Sequence, residues 1–229
     1  MHIALGVEYS GSAYCGWQTQ PAGCAIQDHL EQALKEIAGT EVATMCSGRT
    51  DAGVHALQQV VHFDSEVDRP MSAWVRGVNS WLPPDIAVLW ARPVEPEFHA
   101  RYSAIRRRYR YMLLNHPVRT GLDHRRVGWF HAPLDVSAMQ AAATALLGEH
   151  DFSAFRSSEC QARSPVRRLE SLSITARGPY LQFDFCANGF LHHMVRNIMG
   201  CLVFVGKRRG DTAWIVQLLE SRDRTRGAP

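Results

Sequence analysis

The stretch CSGRTDAGVHA, residues 46–56, is the segment around which the rest of the chain is organised. Two strand-like runs flank it, residues 42–46 before it and residues 56–63 after it. Gly48 and Gly53 are the hinges of the polar loop, since glycine adopts backbone conformations closed to other residues and lets a ligand approach closely. A loop held between two strands predicts that Asp51 is presented for chemistry. The alternative is a turn aspartate that bonds only its own backbone.

Length and composition indicate an ordinary globular protein. The 229 residues, 46% hydrophobic and 21% charged, are enough for one large domain or two small ones with a sizeable core. No apolar run is long enough to cross a bilayer. The first residues, Met1 to Leu5, lead directly into a strand pattern without the features of a secretory signal, so we expect a cytoplasmic protein.

The basic residues are almost all arginine. The net charge of +3 says little about partners, but Lys35 and Lys207 are the only lysines. Arginine stacks on bases and binds phosphates with a two-pronged guanidinium, whereas lysine acts as a point charge. Two clusters stand out, five arginines from Arg101 to Arg110 and the group Arg163, Arg167 and Arg168. They favour a nucleic-acid partner, and the alternative is a solvated, arginine-rich surface.

The cysteine and histidine pattern predicts neither a metal centre nor a disulfide framework. The six cysteines include no CxxC pair and no framework-like spacing. His192 and His193 are adjacent, and on a helix adjacent side chains diverge by about 100°, which makes a poor metal pair.

Hydrophobic periodicity predicts similar patterns of strands and helices in the two halves. In the first half Ile3, Leu5, Val7 and Tyr9 alternate as a strand, and a helix from Ile26 to Ile37 stops at Gly39. The other elements of this half are strands at 42–46, 56–63 and 85–92 and a helix at 71–81. The second half has strands at 107–114, 169–175 and 180–186, a helix that Asp135 caps, and helices at 190–206 and 212–220. Strands and helices in this order predict an α+β fold of two halves.

Several motifs together resemble one family. GRTDAGVHA at residues 48–56 is similar to the signature of the tRNA pseudouridine synthase A family. Three further stretches match that family in order: residues 6–11 with 16–18, residues 98–104 with 108–111, and residues 189–197. The resemblance therefore runs over essentially the whole chain. It implies two ferredoxin-like (RRM-like) halves, residues 1–105 and 106–229, whose antiparallel sheets merge around a central cleft, and a homodimer that binds tRNA.

The resemblance assigns three catalytic residues. Asp51 matches the family's catalytic aspartate, Tyr109 its active-site tyrosine that stacks on the target base, and Arg196 the arginine that pairs with the carboxylate. A paired arginine would keep the carboxylate ionised. From the residues alone, Tyr109 also fits a half-buried strand position and Arg196 a rim position that reaches solvent.

Further residues are candidates for RNA contacts, by matching position and by charge. They are Arg49, Arg69, Phe98, His99, Arg101, Tyr102 and Arg163, together with Tyr109. His99 either bonds RNA or caps the turn after Pro96. We expect His55 to support the loop rather than to transfer protons.

The implied reaction is the conversion of uridine to pseudouridine at positions 38, 39 and 40 of the anticodon arm. It needs no cofactor, because no atoms enter or leave and no redox change occurs. The uridine has to leave the stack, and Asp51 then acts either as a nucleophile or as a base on the ribose. A single acid in the loop disfavours a paired-carboxylate glycosidase.

Two departures from the family pattern and two rival functions are visible in the sequence. Ala25 stands where the family usually has a helix-capping Ser or Thr, and the chain ends at Pro229, before the family's final apolar strand. The rivals are a non-catalytic tRNA-binding or RNA-folding protein on the same scaffold, and a cysteine hydrolase that uses Cys46 and His55.

Overall fold

Two units make up the chain, Met1–Ala104 and a second that begins at Ile105, in a computed structural model that describes residues 1–228. Each unit has its own sheet and its own hydrophobic core. Helices and antiparallel strands occur in both units, which confirms the α+β class. Within residues 1–228, no helix is both long enough and apolar enough to cross a membrane.

The first unit has a four-stranded sheet with helical segments between its strands. Its elements are β1 (His2–Tyr9), α1 (Ile26–Ala38), β2 (Met45–Cys46), β3 (Ala56–Asp64), a helical segment over residues 71–79 whose turn Ala73–Gly77 is π-helical, and β4 (Ile86–Pro93). The strand order is β2-β3-β1-β4, and every pair is antiparallel. This order is that of a ferredoxin-like sheet and confirms the expectation for the first half.

Local sequence explains the best-formed elements of this unit. Alternating residues of β1 place Ile3, Leu5 and Val7 in the core. Helix α1 ends at Gly39, whose φ of 74° is favourable only for glycine. Ala25 provides no side-chain cap, but the Asp28 carboxylate accepts a hydrogen bond from the Ala25 amide at 2.9 Å.

Strand β2 is shorter than the predicted 42–46. The Thr44 amide donates to the Glu31 carboxylate on α1 at 2.7 Å, and the Thr44 hydroxyl donates to the same oxygen at 2.9 Å. This backbone is therefore tied to the helix, and the ladder begins only at Met45.

The second unit has a five-stranded sheet. Its elements are β5 (Arg107–Asn115), β6 (Gly128–Phe130), α2 (Val136–Thr144), β7 (Gly148–Asp151), β8 (Val166–Arg177), β9 (Tyr180–Ala187), α3 (Met194–Gly206) and α4 (Thr212–Ser221). The order is β6-β5-β9-β8-β7, and only β5 and β6 run parallel. The cap of α2 is confirmed, because the Asp135 carboxylate accepts a hydrogen bond from the Ala138 amide at 3.0 Å.

Two predictions for the second unit need correction. Strands β6 and β7 were not predicted, since runs of three and four residues are too short to show periodicity. The predicted helix 190–206 begins at Met194, because His193 has a left-handed φ of 61° that a helix does not continue.

One disulfide joins Cys15 to Cys24 in the loop between β1 and α1. The spacing of the cysteines did not indicate this bridge, because sequence spacing does not show that the chain folds back on itself. The Cys15 amide also donates to the Cys24 carbonyl at 3.0 Å, so backbone and side chains close the loop at the same place.

Candidate active site

The Asp51 loop connects β2 to β3 and is held at both ends. The Ser47 amide donates to the Val60 carbonyl at 2.8 Å, which continues the β2–β3 contact into the loop. The Val54 amide donates to the Asp51 carbonyl at 3.1 Å, and Gly53, with a φ of 80°, completes that turn. Asp51 is half-buried at this point. The two ends fix the backbone from which its carboxylate projects.

A buried glutamine on β3 holds the first part of the loop. Gln59 is only 6% exposed. Its side-chain amide donates to the Gly48 carbonyl, and its side-chain oxygen accepts from the Ser47 hydroxyl at 2.6 Å. A buried polar side chain with both ends bonded to one loop is a rigid clamp. In the sequence, the only signal for Gln59 is a polar residue in the apolar part of a strand, which does not predict this clamp.

Replacing Gln59 with an apolar residue removes this clamp. Gln59→Leu should lower the free energy of unfolding by about 1–3 kcal/mol, because it leaves the half-buried Gly48 carbonyl without its donor. We also expect slower turnover, since the loop loses its tie to β3. Thermal and denaturant unfolding, with the turnover rate per folded molecule, measure both effects. The control is Gln58→Leu at the exposed neighbouring position, and equal losses in the two variants would contradict the clamp.

The loop before α1 packs against the Asp51 loop from the other side. The Trp17 amide donates to the Thr50 carbonyl at 2.9 Å, and the Tyr9 and Thr50 hydroxyls are 2.8 Å apart. Gly16, with a φ of 99°, lies so close that a Cβ there would be 2.8 Å from the Thr50 oxygen. The backbone on either side of Asp51 is therefore fixed by direct contacts.

The structure argues against a cysteine nucleophile in this loop. The His55 Nδ1 accepts a hydrogen bond from the Gly11 amide at 3.2 Å, which confirms that His55 supports the loop. Burial raises the pKa of the Cys46 thiol, although Arg49 and Arg101 partly oppose this shift. A nucleophilic cysteine needs a lowered pKa.

The other candidate residues of the first unit are mainly at its surface. Arg49 and Arg101 are exposed and are both close enough to Cys46 to affect its thiol electrostatically, and Arg69 is exposed as well. The His99 Nδ1 accepts hydrogen bonds from the Arg101 amide at 3.1 Å and the Tyr102 amide at 3.4 Å. His99 therefore caps the turn through Nδ1, which is one of its two predicted roles, and its contact with RNA stays a prediction.

The second unit carries Tyr109 on β5. Tyr109 lies opposite Phe185 of β9, is half-buried, and meets the Phe190 ring edge-on with a centroid distance of 5.0 Å. Tyr111 lies two residues further along β5, on the same face of the strand. Burial raises the pKa of Tyr111. Tyr111 thus has the character of a core residue, and Tyr109 is at the edge of that core.

Arg196 is exposed in the first turn of α3. Its Nη1 is 3.4 Å from the His193 Nε2. The positive charge of Arg196 also acts to lower the pKa of Tyr111, although burial raises that pKa by more. Arg196 is therefore near the face of β5 that carries the two tyrosines. Arg163 is exposed in the segment before β8.

Comparisons with known proteins give a consistent result. The sequence model of a family described as "tRNA pseudouridine synthase" matches residues 6–103 and 142–229. A protein of Thiobacillus denitrificans named "tRNA pseudouridine synthase A" is 58% identical over 229 residues, which cover all of this chain and 88% of that protein. Proteins of the same name from Paraburkholderia xenovorans and Burkholderia mallei are 57% and 56% identical, and the matches cover 99% and 100% of this chain and 84% and 85% of those proteins.

Proposed function

This chain belongs to the tRNA pseudouridine synthase family, and on that premise we propose that it converts uridine to pseudouridine in the anticodon stem–loop of tRNA, at positions 38, 39 and 40. Asp51 is the catalytic carboxylate in this proposal. The observation that carries the assignment is the Asp51 loop itself, whose backbone is bonded to β3 on one side and to the loop before α1 on the other. A catalytic group has to be held in a fixed position to act on one bond of a large substrate.

The reaction explains why one carboxylate is sufficient. The N1–C1′ bond of uridine breaks, the uracil turns, and a new bond forms between C5 and C1′. Nothing is added or removed overall apart from the exchange of the C5 hydrogen for one on N1, so no cofactor takes part. The target nucleotide leaves the base stack so that a side chain can reach its sugar. Asp51 then acts on C1′ as a nucleophile or removes a proton from the ribose.

Two residues of the second unit complete the proposed chemistry. Tyr109 stacks on the extruded base; such a contact is worth about 1–3 kcal/mol per base. Its edge-on contact with Phe190 supports this role, because it holds the tyrosine ring in one orientation. We assign Arg196 as the arginine that keeps the catalytic carboxylate ionised.

The remaining contacts go to the RNA backbone and bases. Exposed arginines are suited to phosphates, and the aromatic residues of the turn after β4 are suited to bases. The proposed contacts are Arg49, Arg69, Phe98, His99, Arg101, Tyr102 and Arg163. We further propose a homodimer in the cytoplasm, because one subunit has little basic surface for a folded tRNA.

The experiment that tests this function uses unmodified tRNA with tritium at C5 of uridine. Pseudouridine formation replaces the C5–H bond, so the enzyme should release tritium to water over many turnovers. A non-catalytic tRNA-binding protein on the same scaffold would retard the tRNA in a binding assay without releasing any tritium. Tight binding with no release would overturn the proposal.

A further inference from the structure

The turn after β4 carries an exposed aromatic and basic surface. We refer to residues 98–103 as the basic turn. Tyr102 at its tip is 76% exposed. The Arg101 guanidinium lies 5.7 Å from the centre of the Tyr102 ring, and the His99 ring lies 4.3 Å from it. Two aromatic rings in close contact beside a guanidinium can hold a nucleobase and a neighbouring phosphate.

Most backbone amides of the basic turn donate hydrogen bonds to acceptors in the turn or just before it. The amides of Phe98, His99, Arg101, Tyr102 and Ser103 donate to acceptors within residues 95–103. The Ala100 amide is different, because it donates at 3.1 Å to the Nδ1 of His62 on β3. This bond therefore connects the turn to the sheet.

His62 lies on the face of β3 that points away from the helices. Its neighbours Val61 and Phe63 are in the core, so the alternation of the strand directs His62 to the opposite face. It is nevertheless only 8% exposed. The rings of Phe98 and His99 meet it edge-on, at centroid distances of 6.0 Å and 4.7 Å. Residues of the basic turn therefore cover it.

A second histidine ties the same turn to β1. The His2 Nδ1 is 2.7 Å from the Asp64 carboxylate, and its Nε2 is 2.8 Å from the Phe98 carbonyl. Both partners are acceptors, so both ring nitrogens carry protons, and the hydrogen bond to Asp64 raises the pKa of His2. Burial lowers the pKa of His62, and the nearby His99 and His2 lower it further. The Ala100 amide donates to the His62 Nδ1, so this nitrogen carries no proton and His62 is the neutral member of the pair.

We infer that His62 is a positioning residue for the substrate: by accepting the Ala100 amide, it fixes the basic turn on β3 so that Arg101 and Tyr102 meet the tRNA in one arrangement. Strand β3 begins directly after the Asp51 loop. The same strand, β3, therefore positions both the loop that carries the carboxylate and the turn that contacts the RNA. This inference rests on the proposed function for the identity of the ligand.

The first experiment compares two substitutions of His62. His62→Leu replaces the imidazole with an apolar side chain of similar size and so removes the acceptor, while His62→Asn offers a side-chain oxygen near the place of Nδ1. We expect His62→Leu to raise KM for tRNA about tenfold, with less than about twofold change in kcat. His62→Asn should restore most of the loss. His131→Leu, at an exposed histidine of the second unit, is the control and should match the wild type.

A double-mutant cycle separates positioning from general stability. In a variant that already carries Arg101→Ala and Tyr102→Ala, the turn lacks the two side chains that it is inferred to hold against the tRNA. His62→Leu should then raise the dissociation constant for tRNA by less than about twofold. If His62 only stabilised the fold, His62→Leu would raise the dissociation constant by the same factor in this variant as in the wild type. Such an additive result would overturn the inference.

The pH dependence gives an independent readout. A protonated Nδ1 cannot accept the Ala100 amide, so acidification should weaken tRNA binding by the wild type relative to His62→Asn. The groups that face His62 are His2 on β1, Asp64 on β3 and His99 in the turn, and they are the same in both proteins. Because the pKa of His62 is lowered, the difference should develop below about pH 6.5. A ratio of binding constants that does not change with pH would contradict the neutral acceptor.

The proposed function and this inference fail in different ways. Binding constants are measured without turnover, so the effect of His62 can be read even if no tritium is released. Failure to release tritium refutes the catalytic proposal. An unchanged dissociation constant in His62→Leu refutes the positioning role.

Discussion

Replacing Asp51 with asparagine is expected to lower pseudouridine formation by at least about 10⁴-fold. Asparagine has nearly the same shape as aspartate, so the backbone contacts of the loop through Ser47, Thr50 and Val54 remain possible. The substitution removes the charged oxygen. Both forms of the mechanism need this oxygen, one as a nucleophile and the other as a base. The dissociation constant for tRNA should stay within about threefold of the wild-type value, since most binding comes from phosphate contacts. Tritium release and a binding titration measure the two effects.

The matched control for Asp51→Asn is Glu66→Gln, which removes one negative charge at an exposed position outside the loop. It should leave both turnover and binding at wild-type levels. Asp51→Ala should behave as Asp51→Asn does, because both lack the carboxylate. If either Asp51 variant keeps appreciable turnover, another residue performs the chemistry.

Replacing Gly11 with alanine should reduce turnover by about 100-fold, because it moves the Asp51 loop without removing any catalytic group. A Cβ at Gly11 would lie 2.0 Å from the Val54 carbonyl oxygen and 2.7 Å from the Val54 carbonyl carbon. Both atoms belong to the backbone and cannot swing aside as a flexible side chain would. Relief of this overlap has to displace the chain at Gly11 or the end of the Asp51 loop, and it weakens the bond from the Gly11 amide to His55.

The control for Gly11→Ala is Gly121→Ala, where an added Cβ would meet nothing within 4 Å and the backbone is not left-handed. This variant should be fully active. We expect Gly11→Ala to lower kcat more than the affinity for tRNA, because Arg69, Arg101 and Arg163, among the proposed RNA contacts, lie outside the Asp51 loop. Wild-type kcat in a folded Gly11→Ala protein would show that the position of the loop does not limit the reaction.

The sequence was sufficient for the elements with strong periodicity. The alternation of Ile3, Leu5 and Val7 and the helical spacing that ends at Gly39 both correspond to observed elements. Asp135 was recognisable as a helix cap because a carboxylate one position before an apolar run has a specific bonding role. These features depend on interactions between residues that are close together in the chain, so they can be predicted from a single sequence.

The features that the sequence did not reveal depend on distant contacts. Strand β2 is shortened by the bond from the Thr44 amide to Glu31, and α3 begins late because His193 is left-handed. The roles of Gln59 and His62 follow from what covers and bonds them, since each looks like an ordinary polar residue in a strand. Asp51 differs from both, because its motif is specific enough for the sequence alone to predict a catalytic role, and that role stays a prediction.

In the proposed reaction, the carboxylate of Asp51 performs the isomerisation in the anticodon arm. The most direct test maps pseudouridine at single-nucleotide resolution in one unmodified tRNA after incubation with wild-type protein or with Asp51→Asn. We expect pseudouridine at position 38, 39 or 40, wherever a uridine is present, with the wild type and at none of these positions with the variant. Pseudouridine at the same positions with Asp51→Asn would contradict the claim.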